Sequence, residues 1–108
     1  MQDAPTFYVV RFWVDPANKE PVFKWLDGKH ASDLAAEPGF LWVRRLKLAE
    51  DAADGWLAYM MIYGVDSPDS LQRYFNGPSP ARYAEERRPY QQYLRMERCW
   101  GDVDLAVR

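Results

Sequence analysis

The sequence has one cysteine, one histidine and only a small excess of negative charge. Among its 108 residues, Cys99 and His30 are the only members of their types, and 14 basic residues stand against 16 acidic ones. A lone cysteine excludes an internal disulfide, and one histidine without a cysteine pair gives no cluster of metal ligands. The formal net charge of -2 argues against a nucleic-acid or membrane-surface partner, because neither attracts a mildly acidic protein.

Long apolar runs and nucleotide-binding motifs are also missing. No run approaches the roughly 20 apolar residues that a membrane-spanning helix needs, and there is no glycine-rich phosphate loop or nucleophile elbow. Residues 1–5 lack the basic and apolar regions of a signal peptide. We therefore expect a cytoplasmic protein with one domain over residues 1–108, in which 1–5 form a lead and 101–108 a tail.

Aromatic residues, by contrast, are abundant. They make up 16% of the chain and include five tryptophans and seven tyrosines, which is more ring surface than a small core needs. We expect part of this surface to line a pocket or a subunit interface.

The order of predicted elements is β-α-β-β-α-β. Aromatic and β-branched residues indicate the strands, Glu37-Pro38-Gly39 ends the first helix, and Ser67 with Pro68 begins the second. The predicted bounds are strand 6–14, helix 18–36, strands 40–48 and 56–65, helix 67–75, a short charged helical piece 81–88, and strand 90–100. This order predicts an α+β, ferredoxin-like fold whose antiparallel four-stranded sheet carries both helices on one face.

That fold leaves the second face of the sheet uncovered. The face carries tryptophan, tyrosine, methionine and valine, and a monomer would expose a larger apolar patch than soluble proteins tolerate. We expect a homodimer that covers it. Val103, Leu105 and Val107 alternate with polar or small residues, which predicts that the tail adds to the dimer contact.

The histidine lies on a helix face that has to pack against something apolar. At helical spacing Val22, Leu26, His30 and Leu34 form one stripe, and Asp33 is within side-chain reach of His30. One interpretation is a core histidine satisfied by Asp33 or by a backbone carbonyl. The other is a catalytic pair in which Asp33 selects the tautomer of His30, whose near-neutral pKa suits proton transfer.

Arginines and aromatic residues are the candidates for substrate binding. Arg11 lies in a mostly apolar strand row, so it is either a rim arginine paired with a carboxylate or a ligand contact. Arg11 or Arg44 could hold a carboxylate, a phenolate or a developing enolate. The charges between Arg82 and Arg88 are expected to form a solvated helix face. The predicted pocket walls are Trp13, Trp25, Trp42, Tyr59 and Tyr63.

The spacing of these residues resembles a known family. Trp25, His30 and Asp33, followed by Pro38-Gly39-Phe40 and the doublet Arg44-Arg45, are similar to the EthD-like branch of the dimeric α/β-barrel superfamily. The resemblance covers about residues 6 to 100 and implies two sheets paired into a barrel. It also implies a pocket between sheet and helices into which the histidine points. The asparagine, tryptophan and histidine set of the haem-degrading branch has no match.

Such folds host cofactor-free monooxygenases, polyketide cyclases, muconolactone isomerases and dehydratases, so the family leaves the reaction open. We expect a small cofactor-free enzyme of lyase, isomerase or cyclase type. It would transfer protons on an oxygenated, ring-containing small molecule. A non-catalytic ligand-binding dimer and a cofactor-free monooxygenase remain open as alternatives.

Overall fold

A computed structural model describes residues 3–108 and confirms the predicted order of elements. The strands are β1 (Thr6–Val14), β2 (Phe40–Lys47), β3 (Leu57–Val65) and β4 (Leu94–Asp102), and the α-helices are α1 (Lys19–Trp25), α2 (Ala31–Ala35), α3 (Pro68–Asn76) and α4 (Ser79–Arg87). A π-helical segment, Leu26–His30, joins α1 to α2, and 3-10 turns cover Pro16–Asn18 and Arg88–Tyr93.

The four strands form one antiparallel sheet in the order β2-β3-β1-β4, with the helices on one face. Side chains alternate between the two faces, and on β1 the row Tyr8, Val10, Phe12 and Val14 is buried. We call this side the helix face. It holds the hydrophobic core and confirms the predicted α+β, ferredoxin-like fold.

The opposite side, which we call the open face, carries the other row of β1. Phe7, Val9 and Trp13 are half-buried there, and Arg11 is exposed. The sequence pattern predicted a mostly buried row, which is wrong for Arg11 in the single chain because no helix within residues 3–108 packs on this side. Burial of the row would require a second molecule.

The first helix contains the predicted apolar stripe, with Val22, Leu26, His30 and Leu34 all buried. In an uninterrupted α-helix each four-residue step would rotate such a stripe by about 40°. The π segment Leu26–His30 takes more residues per turn and so compensates for this rotation. It keeps His30 facing the sheet together with the three aliphatic residues.

A bulge changes the faces of β2. The register shifts between Phe40 and Trp42, so Phe40 packs in the core while Trp42 lies on the open face over Gly64. The sequence pattern placed Phe40, Trp42 and Arg44 in one row, which is wrong because a bulge inserts an extra residue and reverses the alternation.

Two local features confirm the predicted turn at Gly39 and the predicted helix start at Ser67. Gly39 has φ +86°, and a Cβ there would lie 2.5 Å from the Ser70 side chain, so the turn before β2 requires glycine. Ser67 begins α3, and its Oγ accepts a hydrogen bond of 3.1 Å from the Ser70 amide.

In the C-terminal part of the fold, the observed element boundaries differ from those predicted from the sequence. The charged helix α4 begins at Ser79 rather than at residue 81, and residues 90–93 belong to a 3-10 turn that precedes β4. The Val103 amide donates to the Pro5 carbonyl at 2.8 Å, after which Leu105 and Val107 are exposed. No helix within residues 3–108 is both long enough and apolar enough to cross a membrane.

Candidate functional site

A cavity of about 190 Å³ lies between the helix face and the helices. Strands β1 and β3 form its floor, the first helix, α3 and α4 form its walls, and β4 forms one side. Aromatic rings and aliphatic side chains make up most of the lining. Of the predicted site residues, the cavity brings together Trp25, His30 and Tyr63.

His30 is held in the cavity wall by aromatic rings. The Trp25 ring stacks on the imidazole with a centroid distance of 4.6 Å, and Tyr83 meets it edge-on at 5.1 Å. Tyr90 stacks on Trp25 at 5.3 Å. The side chain is only 8% exposed, and within residues 3–108 its Nδ1 has no hydrogen-bond partner. Packing rather than hydrogen bonding therefore fixes the ring.

The expected contact between Asp33 and His30 is not formed. The Asp33 carboxylate is bound instead by Lys29 Nζ at 2.5 Å, and Lys29 Nζ also lies 3.1 Å from Glu86. Lys29 is four residues before Asp33 on an exposed surface, which is the spacing that favours such a pair. Asp33 thus belongs to a surface ion-pair network, and its catalytic role stays a prediction.

Burial lowers the pKa of His30 to about 4, and the charge of Arg87 acts in the same direction, while Glu86 and Asp33 oppose it. The ring is therefore neutral at pH 7, whereas the sequence suggested a near-neutral pKa. A neutral imidazole can accept a proton or a hydrogen bond, and it can donate one N–H.

Tyrosines form the polar part of the floor and walls. Tyr63 is fully buried next to Tyr8 at a ring distance of 5.8 Å, and burial raises the pKa of both, as it does for Tyr74. The Tyr83 hydroxyl donates a hydrogen bond to Glu37 at 2.6 Å. Burial, the larger cause, and this bond, the second cause, together raise the pKa of Tyr83 to about 12. These phenols remain neutral donors at pH 7.

Two arginines that sequence reasoning did not select also line the cavity. Arg87 on α4 is half-buried, and Arg98 on β4 lies near the Tyr8 hydroxyl. The sequence placed Arg87 on a solvated face, which is wrong. The sequence did contain a signal for both positions. Arg87 follows the buried Tyr83 by four residues, so the two share a helix face, and Arg98 follows Met96 by two residues, so they share a face of the strand.

The remaining predicted residues lie away from the cavity. Arg11, Trp13, Trp42 and Arg44 are on the open face, where each arginine lies over its neighbouring tryptophan ring, at 4.9 Å and 5.7 Å. Tyr59 is on the helix face but lines a separate shallow groove with Phe23 and Arg45. In a single chain, none of these side chains joins His30.

Metal binding has no support from side-chain clusters in residues 3–108, where no three His, Cys, Asp or Glu side chains come together.

A family model matches residues 6–98 and is described as a domain of unknown function, DUF4286. The chain belongs to this family. Its fold is also that of the EthD-like and dimeric α/β-barrel proteins, as the sequence resemblance predicted. A search of curated proteins gives no match.

Three solved structures show this likeness. The cofactor-independent oxygenase SnoaB from Streptomyces nogalater has 25% identity and a TM-score of 0.60, with 94% of this chain and 95% of that chain covered. The heme-degrader MhuD from Mycobacterium tuberculosis, with two hemes bound in its active site, has 22% identity and a TM-score of 0.69 over 96% and 100%. An EthD family protein from Bacillus halodurans C-125 has 14% identity and a TM-score of 0.63 over 91% and 98%.

Proposed function

We propose that this member of the DUF4286 family is a small-molecule enzyme. In this proposal the cavity holds an oxygenated ring compound, and neutral His30 removes a proton from it. The observation that carries the proposal is the position of His30, a titratable side chain buried in the wall of an aromatic cavity with Nδ1 unpaired among residues 3–108. A histidine kept only for packing would be expected to have that nitrogen hydrogen-bonded.

The reaction follows from the groups around the imidazole. His30 would take a proton from an acidic C–H or phenolic O–H, and the electron pair would move onto the substrate oxygen as an enolate or phenolate. The buried tyrosines and the cavity arginines are donors that can stabilise this oxygen. Returning the proton at another atom gives an isomerase, loss of a leaving group a lyase, and attack on a carbonyl a cyclase.

Oxygenation is the second candidate, favoured by the likeness to the cofactor-independent oxygenase SnoaB. The same deprotonated substrate would then react with dioxygen in the cavity. A ligand-binding protein without turnover would use the same cavity and rings but would leave the substrate protons in place.

The test follows proton exchange directly. A panel of one- and two-ring phenols and enolisable ketones is incubated with the protein in D₂O, and deuterium incorporation at carbon is measured by NMR, with oxygen uptake recorded in parallel. We expect His30→Gln to slow exchange by about 10²- to 10⁴-fold, the range for loss of a general base.

Ser32→Ala is the matched control, because Ser32 is exposed two residues away and donates only to the Lys29 carbonyl. It should exchange at the wild-type rate. Full exchange in His30→Gln would remove His30 from the mechanism, and oxygen uptake that depends on His30 would favour the oxygenase.

A homodimer belongs to the same proposal. Two copies would pair through their open faces, which carry aromatic and aliphatic side chains that no helix or strand among the described residues of a single chain covers. The cytoplasmic location and the absence of a cofactor stay predictions from the sequence.

A further inference from the structure

The cavity contains a set of nitrogen atoms without partners. Trp25 Nε1, His30 Nδ1 and Arg87 Nε are buried, and none has a hydrogen-bond partner within residues 3–108. All three side chains line the same cavity. A buried polar group left unpaired costs about 1–3 kcal/mol, so three around one cavity are an unusual concentration. Trp25 Nε1 and Arg87 Nε can only donate, which requires an acceptor on the other side.

The charges around the cavity also favour a ligand that accepts hydrogen bonds. The Arg87 side chain makes no hydrogen bond or ion pair with any residue in 3–108, and Arg98 makes no ion pair there. Burial and the charge of Arg98 lower the pKa of Arg87, as expected for a guanidinium with no counter-charge nearby. Glu86, the neighbouring carboxylate on α4, lies 3.1 Å from Lys29 Nζ, and its Oε1 is a further buried atom without a hydrogen-bond partner in residues 3–108.

Two arginines close to Arg87 in sequence each have a carboxylate partner. Arg88 Nη2 lies 2.5 Å from Glu85, and Arg82 Nη2 lies 3.5 Å from Glu37. Both are more exposed than Arg87, yet both have carboxylate partners. Of these three arginines, the half-buried Arg87 is the one with no carboxylate partner in residues 3–108, although an unpaired buried charge is the more costly arrangement.

We propose that the ligand is a carboxylate on one or two rings, with its carboxylate oxygens bound by Arg87 and the Trp25 N–H and with Arg98 adding charge at the side of the cavity. This inference rests on the proposed function and specifies its substrate class. A planar guanidinium and a carboxylate match in geometry, which favours a carboxylate over a neutral carbonyl. The ring body would lie against the apolar floor.

The size of the cavity limits the rings. A cavity of about 150 Å³ holds benzene in an engineered protein, so about 190 Å³ suits one ring or two fused rings. A tetrapyrrole such as the heme bound by MhuD is larger than this space. The ligand proposed for this chain is therefore smaller than the heme that MhuD binds.

The experiment compares carboxylates with their neutral amides. Benzoate, 1-naphthoate, benzamide and 1-naphthamide are titrated into the full-length protein at pH 7 by calorimetry. In the wild type, a carboxylate should bind at least about 10-fold more tightly than its amide. Arg87→Gln should weaken carboxylate binding by about 10- to 100-fold, the loss expected for a hydrogen-bonded charge, and should leave amide binding within about 3-fold.

Arg88→Gln is the matched control, since it removes the same charge one residue away on the exposed side, and it should bind as the wild type does. Arg87→Lys keeps the charge and should retain part of the carboxylate preference, and thermal unfolding verifies that each variant is folded. Equal binding of acid and amide, or no binding of either carboxylate at about 5 mM, would overturn the proposal.

Binding is measured here without turnover, so the two proposals can fail separately. A carboxylate preference without proton exchange would leave a carboxylate-binding protein and refute the enzyme. Exchange on neutral ketones without a carboxylate preference would retain the enzyme and refute this substrate class.

Discussion

The two faces of the sheet use the same kinds of side chain in different ways. On the open face Arg11 lies over Trp13, where water reaches the guanidinium. On the helix face Arg87 and Trp25 carry buried nitrogens with no partner in residues 3–108. The difference shows that coverage, more than residue type, decides what an arginine requires: exposed nitrogens are satisfied by solvent, and buried ones need a hydrogen-bond partner.

The largest expected effect concerns the open face. Ile62→Glu would place two carboxylates, one from each copy, in the proposed dimer interface, and Ile62 is half-buried on this face opposite Val9. We expect the dimer dissociation constant to rise by about 1,000-fold, or ~4 kcal/mol, because each charge loses water without gaining a partner. Sedimentation equilibrium or light scattering measures it.

Ala84→Glu is the control for this variant, since Ala84 is exposed on α4, away from the open face. It should leave the dissociation constant unchanged. A wild-type mass of 12.7 kDa at micromolar concentration would contradict the dimer itself.

The next effect concerns the helix face and its dependence on pH. Since burial lowers the pKa of His30 from 6.5 to about 4, the unfolded chain binds this proton more readily than the folded one. The stability contributed by neutral His30 is therefore present above pH 6.5 and is lost as the pH falls toward 4. The full loss is about 3 kcal/mol, at roughly 1.4 kcal/mol per pH unit.

Urea unfolding at pH 7, 6, 5 and 4, at one protein concentration, measures this loss. His30→Gln has no imidazole to protonate, so its unfolding free energy should fall less steeply with falling pH than that of the wild type. Parallel curves for the two proteins would show that the imidazole is not desolvated.

The smallest effect concerns the ring that supports His30. Tyr83→Phe removes the hydroxyl that donates to Glu37 at 2.6 Å but keeps the ring against the imidazole. Glu37 retains Ser79 as a donor, so we expect a loss of about 1 kcal/mol, measured by thermal or urea unfolding. Tyr93→Phe is the control, because Tyr93 is half-buried and its hydroxyl makes no hydrogen bond in residues 3–108. An equal loss in both variants would contradict the role of the Tyr83–Glu37 bond.

The sequence by itself determined the order of the elements and the inward position of His30. Alternating β-branched residues give strands, Ser67 with Pro68 starts a helix, and a stripe of four buried positions marks the face of the first helix. These signals are local, since each depends on neighbours a few residues away. They were sufficient for the ferredoxin-like fold and for its EthD-like resemblance.

Only the tertiary structure decided which aromatic and charged residues meet at His30. Both rows of β1 are largely apolar, so alternation could not show that Phe12 faces the helices and Trp13 the open side. The bulge in β2 moved Trp42 away from the row of Phe40, and the approach of α4 to β4 brought Arg87 and Arg98 to one cavity. Contacts between residues distant in sequence depend on register and packing, which no single segment encodes.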